Sequence, residues 1–279
     1  MTNVILEAII DSLKSLPFLF LAYFLIEYLE HKSNDKFKTA LAKNQRFGSI
    51  PGAILGTVPQ CGFSVMAANL YAGGVITVGT LLAVFISTSD EAIPILVSNP
   101  AGIPVLLKII VLKILVAVAV GLVIDSFAKK RTLEEGTQEI CHDCGCGHER
   151  SLLKATLYHT VKTFAFIMII NLALNLLIYF IGEQTITKLL LTDSVFQPLI
   201  AAAIGFIPNC AASVLLTDLY LEGVLSFGSL AAGLCSGAGL GLAVLFKANK
   251  NIKDSFKIAA ILYVVAVVVG VILQILNCF

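Results

Sequence analysis

A segment that occurs twice, 149 residues apart, constrains the fold more than any other feature of this sequence. Residues 56–96 align without gaps on residues 205–245, and fourteen of the 41 positions are identical. The identical positions include a proline, a cysteine and a serine in each copy: Pro59 and Pro208, Cys61 and Cys210, Ser64 and Ser213. An internal repeat of this length predicts two halves of similar structure.

The composition places both halves in a lipid bilayer. Of the 279 residues, 58% are hydrophobic and 13% are charged, whereas a soluble domain carries about 25% charge. Apolar runs of roughly 20 residues recur along the chain, each long enough to span a membrane as a helix. The first 30 residues lack a basic start and a small-residue cleavage site, so we interpret them as a membrane helix. We predict an all-α, multi-pass protein of the cytoplasmic (inner) membrane.

Each half is predicted to contain four apolar segments, of which the second is interrupted by proline. The segments are 4–29, 48–73, 75–97 and 104–127, then 154–181, 195–222, 224–246 and 255–277. Residues 49–59 would span about 16 Å as a helix, roughly half of the ~30 Å hydrocarbon layer. We therefore predict three spanning helices and one re-entrant helical hairpin per half. The alternative is eight or ten full transmembrane helices.

The positions of Lys and Arg predict the relative orientation of the halves. With hairpins, the inner loops hold fourteen basic residues and the outer loops hold only Lys188; with full crossings the split is ten to five. The positive-inside rule favours the hairpins, and with them two inverted repeats whose termini both lie outside. The predicted organisation is a first membrane repeat (1–128), a cytoplasmic loop (129–153) and a second membrane repeat (154–279).

The interrupted segments, "TVPQCGFS" and "FIPNCAAS", are the candidate substrate site. After each proline, an amide and a thiol precede a new helix, whose N-terminal N–H groups attract electron-rich groups. Thiolates select soft metal centres. The predicted substrate-binding residues are Gln60, Cys61, Gly62, Ser64, Asn209, Cys210 and Ser213. The alternative is that each cysteine is a small buried apolar residue.

The third segment of the first half contains adjacent carboxylates in "FISTSDEAIPIL". Ionisable residues inside a membrane are costly and therefore usually functional, so these could bind a cation or exchange a proton. The alternative is that they are solvated near the outer face. Lys113, deep in the fourth segment, is a candidate cavity cation or partner for these acids; the favoured alternative is that its long side chain reaches toward the membrane interface. The predicted coupling and cation residues are Ser87, Ser89, Asp90, Glu91 and Asp218.

The loop "EICHDCGCGHERS" (139–151) combines three cysteines with two histidines. This spacing suits four-coordinate binding of a soft metal such as zinc, and the cytoplasm would keep the thiols reduced. The predicted metal ligands are Cys141, His142, Cys144, Cys146 and His148. The alternative is a flexible linker. No cofactor is expected to be required.

With "PQCGFS", "STSDEA", "PNCAAS" and the cysteine-histidine loop, nearly the whole chain resembles a bacterial and archaeal family of heavy-metal exporters. The family is variously labelled arsenic efflux protein, manganese transporter or ten-helix exporter. The resemblance implies export of a metal or metalloid. The thiols favour a softer species than manganese, which prefers oxygen ligands. No phosphate-binding loop of the Walker type is present in the sequence, so ATP use is not expected.

The leading hypothesis is a secondary transporter, and not an enzyme, that exports a soft metal ion or arsenic-type metalloid by alternating access with proton coupling. One alternative is a small organic anion transporter that uses the helix N-termini of the hairpins. Another is a membrane metal sensor that acts through the cysteine-histidine loop. The expected partners are the metal or metalloid and the lipid bilayer, and not nucleic acid; a homodimer is one assembly left open.

Overall fold

A computed structural model describes six continuous ranges of the chain. These are residues 48–59, 61–88, 92–99, 102–127, 152–181 and 196–276. The structure also describes eight helical positions between Leu13 and Phe24. The described residues form helices and no strand, which confirms the predicted all-α class.

The helices of the first half recur in the second half in the same order. The first half contains α1 (Ser49–Gly56), α2 (Cys61–Ala72), α3 (Val78–Ser87), α4 (Ala92–Ser98) and α5 (Gly102–Phe127). After α6 (Leu152–Ile181) come α7 (Gln197–Gly205), α8 (Cys210–Leu221), α9 (Phe227–Ser236), α10 (Leu240–Ala248) and α11 (Ile252–Ile275). The bounds of α8 and α9 differ from those of α2 and α3 by 149 residues, the offset of the sequence repeat.

Four stretches of the described chain are long and apolar enough to cross a membrane: Val78–Ser98, Gly102–Phe127, Phe227–Ala248 and Ile252–Ile275. The stretches that contain α3 and α9 are mostly buried, whereas α5 and α11 form the periphery. On α5, every fourth residue of the outer face is an exposed aliphatic side chain: Ile103, Leu107, Val111 and Leu115. An apolar outer face of this kind fits contact with lipid, as expected for a multi-pass membrane protein.

Two glycines bring α1 against α3. A Cβ atom at Gly52 would lie 3.3 Å from Cγ2 and from the carbonyl oxygen of Thr80, and one at Gly56 would clash with Ser87. Because these contacts advance from the start of α3 to its end, the two helices run in the same direction. The connecting helix α2 therefore returns toward the start of α3.

The second half packs in the same way. A Cβ atom at Gly205, at the end of α7, would clash with the backbone of Gly233 and approach the hydroxyl of Ser236, both near the end of α9. Helix α8 therefore returns toward the start of α9, as α2 does toward the start of α3.

Contacts between the halves place α2 beside α10. A Cβ atom at Gly241, at the start of α10, would lie 2.7 Å from the backbone of Ser64, near the start of α2. Toward the other end, the Tyr71 hydroxyl donates to Asp254 Oδ2 at 2.6 Å, in the first turn of α11. The two helices therefore lie side by side and run in the same direction.

The predicted third segments are not continuous helices, which corrects the sequence-based prediction. In the second half, α9 ends at Ser236 and α10 begins at Leu240, because Gly239 takes a left-handed φ of 54° that favours glycine. In the first half, α3 ends at Ser87, and Thr88 leaves the helical conformation with a ψ of 128°. Pro94, in the first turn of α4, lacks the N–H that would continue a helix across this point.

Asp125, near the end of α5, holds the start of α3 and the start of α1 in place. Its carboxylate accepts hydrogen bonds from the Gly79 N–H at 2.9 Å, the Thr77 hydroxyl at 2.8 Å and the Ser49 hydroxyl at 3.2 Å. Gly79 allows this approach, since a Cβ atom there would clash with the carboxyl group. The carboxylate is buried and accepts from all three donors.

We expect Asp125→Ala to lower thermal stability by several degrees, because each buried donor left without an acceptor costs about 1–3 kcal/mol. Asp125→Asn keeps one acceptor oxygen and should lose less. The neighbouring exposed Ser126, whose hydroxyl bonds to Leu122 O in its own helix, supplies the control Ser126→Ala. Thermal unfolding in detergent, followed by circular dichroism, measures the three shifts. Equal midpoints for Asp125→Ala and the wild type would contradict this role.

Candidate functional site

A small cavity lies where helix ends from both halves meet. Its volume is about 20 Å³, enough for one or two water-sized groups. Four of the nine lining residues are glycines, which lets backbone atoms approach the space closely. The lining comprises Thr88 from the first half and Gly205, Asn209, Cys210, Ser213, Gly233, Leu234, Gly237 and Gly239 from the second.

Three predicted substrate-binding residues, Asn209, Cys210 and Ser213, line this cavity together. Cys210 is the first residue of α8 and is 8% exposed. Ser213 lies one turn further on, and its hydroxyl donates to the Cys210 carbonyl at 2.8 Å. The start of α8 therefore presents a thiol, an amide and a hydroxyl at one wall.

Asn209 is also the N-cap of α8. It has an extended backbone, and its side-chain Oδ1 accepts a hydrogen bond from the Ala211 N–H at 3.2 Å. The sequence predicted that the N-terminal N–H groups would attract a ligand. In the structure one of these groups, the Ala211 N–H, is satisfied by the cap.

The corresponding residues of the first half are placed differently. Cys61 begins α2, and Gly62 is buried within it. Ser64 is fully buried against Gly241 and is not among the cavity-lining residues. Gln60 lies outside the described residues.

Of the predicted coupling residues, two are described. The buried Ser87 hydroxyl donates to Ala83 O at 2.8 Å and to Val84 O at 3.1 Å, both in its own helix. Asp218 lies on the exposed face of α8 and does not line the cavity. Ser89, Asp90 and Glu91 lie outside the described residues, immediately after the cavity-lining Thr88.

Lys113 is 0% exposed, so its side chain does not extend to the membrane interface, which was the favoured interpretation of the sequence. Its amino group donates to Leu234 O at 2.6 Å and to Thr88 O. Both acceptors belong to cavity-lining residues, so Lys113 stands directly behind the cavity wall.

Sequence reasoning missed several lining residues. Thr88 sits within the "STSDE" stretch that drew attention to its neighbours, and Gly237 and Gly239 stand opposite that stretch in the repeat. The interruption of the repeat pattern at these positions was the available signal. Leu234 contributes a backbone carbonyl, for which its side chain gives no signal.

The predicted metal ligands of the cysteine-histidine loop, Cys141, His142, Cys144, Cys146 and His148, lie outside the described residues. Within the described ranges, no three His, Cys, Asp or Glu side chains come together as a metal site.

The helical fold, the apolar spans and the cavity at the helix breaks define a multi-pass membrane protein. A family model described as "Putative, 10TM heavy-metal exporter" matches residues 2–180 and 171–278, and the chain belongs to this family. The resemblance seen in the sequence is confirmed. Membership in this family supports export of a heavy metal across a membrane, and it favours the interpretation of the chain as a transporter over that as an enzyme. No curated protein and no solved structure matches the chain.

The cavity predicts different reactivities for two buried thiols. Cys210 lines the cavity, whereas Cys235 is 0% exposed in α9 and does not. In variants that retain one of these cysteines, we expect methyl methanethiosulfonate to modify Cys210 roughly tenfold faster or more, since buried structural thiols are inert. Mass spectrometry of timed samples measures the two rates. Similar rates would show that Cys210 is no more accessible than the core.

Proposed function

We propose that the protein is a secondary transporter that exports a soft metal ion or arsenic-type metalloid across the cytoplasmic membrane by alternating access. The observation that carries this proposal is the cavity at the start of α8, which combines the Cys210 thiol with helix ends from both halves. Thiols select soft centres, and opened backbone in a membrane is tolerated where it lines a cavity. Cys61 and Gln60 would complete the site from the first half.

The capped start of α8 argues against a small organic anion as the substrate. Such a ligand would need the N-terminal N–H groups of the helix, and the Ala211 N–H already bonds to Asn209. The thiol of Cys210 has no corresponding role in an anion carrier. The soft-metal hypothesis therefore accounts for more of the lining.

Coupling to protons is proposed for Asp90 and Glu91, which follow the cavity-lining Thr88 in sequence. A carboxylate inside a membrane can release its proton toward whichever side the cavity opens. The cysteine-histidine loop is proposed to collect the ion on the cytoplasmic side, where its thiols would stay reduced.

We infer that the halves are inverted and that α1–α2 and α7–α8 are re-entrant hairpins. The bond between Tyr71 and Asp254 supports this arrangement. A hairpin returns Tyr71 to the side where the basic loop 31–47 precedes α1, and Asp254 belongs to the other basic loop, 247–257. A full crossing by residues 48–73 would place Tyr71 on the opposite side of the membrane from Asp254.

Two exposed positions distinguish the arrangements. With inverted halves, Ser98 lies outside and Lys250 inside; with parallel halves and full crossings, both lie on the same side. In a cysteine-free background, we expect an impermeant maleimide to label Ser98→Cys in intact cells and Lys250→Cys only after the membrane is opened. Labelling of both positions from one side would exclude the inverted arrangement.

Reconstitution in liposomes tests the transport activity. We expect flux of at least one soft species among As(III), Zn²⁺ and Cd²⁺, with a rate that depends on a pH gradient, and less flux of Mn²⁺. Cys61→Ala combined with Cys210→Ala should abolish this flux, because both thiols are removed from the proposed site.

The matched control is Cys235→Ala, which removes a buried thiol that does not line the cavity. It should transport at close to the wild-type rate. Absence of flux for every soft species would overturn the proposed function, and wild-type flux in the double variant would show that the thiols are incidental.

A further inference from the structure

Lys113 connects the two interrupted helices at the centre of the protein. Its amino group donates to the carbonyl of Leu234, in the last turn of α9, and to that of Thr88, which follows the end of α3. Helix α3 belongs to the first half and α9 to the second. One ammonium group therefore lies between equivalent helix ends of both halves.

These carbonyls need a positively charged or hydrogen-bonding partner. The last carbonyls of a helix have no intrahelical partner and carry the negative end of the helix dipole. Continued helix would give Leu234 O the N–H of Ala238, but that N–H bonds to Ser236 O at 2.9 Å. In a bilayer an unsatisfied carbonyl is costly, so the interruption at Gly237 requires a donor from elsewhere.

The position of this ammonium group matches a recurring kind of cation site. In transporters built from discontinuous helices, unwound backbone carbonyls and helix C-terminal ends coordinate the coupling cation. Thr88 and Leu234 supply such carbonyls here, and both residues line the cavity. The repeat equivalent of Lys113 is the fully buried Leu262, so only the first half supplies this cation.

We propose that the Lys113 ammonium is a tethered cation that occupies the site an alkali coupling ion would otherwise fill, so that the protein binds no Na⁺ or K⁺ there. The part of this proposal that concerns cation binding rests only on the geometry of the two carbonyls. The proposal also implies a transport cycle that needs no alkali cation, and this consequence rests on the proposed function.

Removal of the side chain should convert the tethered cation into a site for a free one. Lys113→Ala leaves the two carbonyls facing a space that ammonium, methylammonium, Na⁺ or K⁺ could enter, whereas Lys113→Met fills the same space with an apolar chain. Lys113→Arg keeps the charge. Lys108→Ala, five residues earlier on the exposed face of α5, removes a lysine that does not reach these carbonyls.

Thermal unfolding in detergent is compared in choline, sodium, potassium, ammonium and methylammonium chloride at one ionic strength. We expect Lys113→Ala to be less stable than the wild type in choline. At least one small cation should raise its midpoint saturably, by roughly 2–4 °C. The wild type, Lys113→Arg, Lys113→Met and Lys108→Ala should show no such preference among the cations.

The proposal is overturned if Lys113→Ala shows no cation-specific stabilisation, or if Lys113→Met responds in the same way. It is equally overturned if Na⁺ or K⁺ saturably stabilises the wild type or is required for its flux. If Lys113→Ala does not fold, the stability and flux of the wild type with and without Na⁺ or K⁺ decide whether the proposal holds. Unfolding requires no transport, so a cation response without flux would count against the proposed function and leave the cation site standing.

Discussion

Every interruption of a helix within a bilayer leaves backbone groups that water cannot satisfy, and the centre of this protein is organised by how those groups find partners. The Asn209 side chain caps the start of α8. The hydroxyls of Ser87 and Ser236 bond to carbonyls in the last turns of α3 and α9. Lys113 donates to the carbonyls of Thr88 and Leu234. The cavity lies among these helix ends because their polar groups converge there.

The two halves share a fold but differ in how closely their helices approach each other. At the start of α10, Gly241 has no Cβ and lies against the fully buried Ser64. Its repeat equivalent in α4 is Ala92, and the equivalent of Ser64 is the half-buried Ser213 at the cavity. Ser64 is therefore enclosed, whereas Ser213 faces the cavity. Alternating access, as we propose it, would expose Ser64 and enclose Ser213 in the other state.

The sequence predicted much of the fold, because proline after an apolar run and the repeat of residues 56–96 at 205–245 are strong signals. It did not predict the interruptions after Ser87 and Ser236, since glycine is common in intact membrane helices. There the outcome depends on tertiary contacts, such as the bond from the Ser236 hydroxyl to Ala202 O. The candidate site was also predictable only in part. The residue type of Cys210 predicted that it would belong to the site, whereas nothing in the side chain of Leu234 predicted a role for its carbonyl.

The charges of the membrane interior are distributed unequally between the halves. Lys113 and Asp125 both lie on α5, and their repeat equivalents on α11 are the uncharged Leu262 and Gln274. Helix α5 is unbroken over 26 residues, so it holds these charges at fixed heights along its axis. The thiol, by contrast, begins the short helix α8. In the proposed cycle, a fixed charge would therefore anchor the broken helices, while the elements that carry the substrate ligands are those able to move.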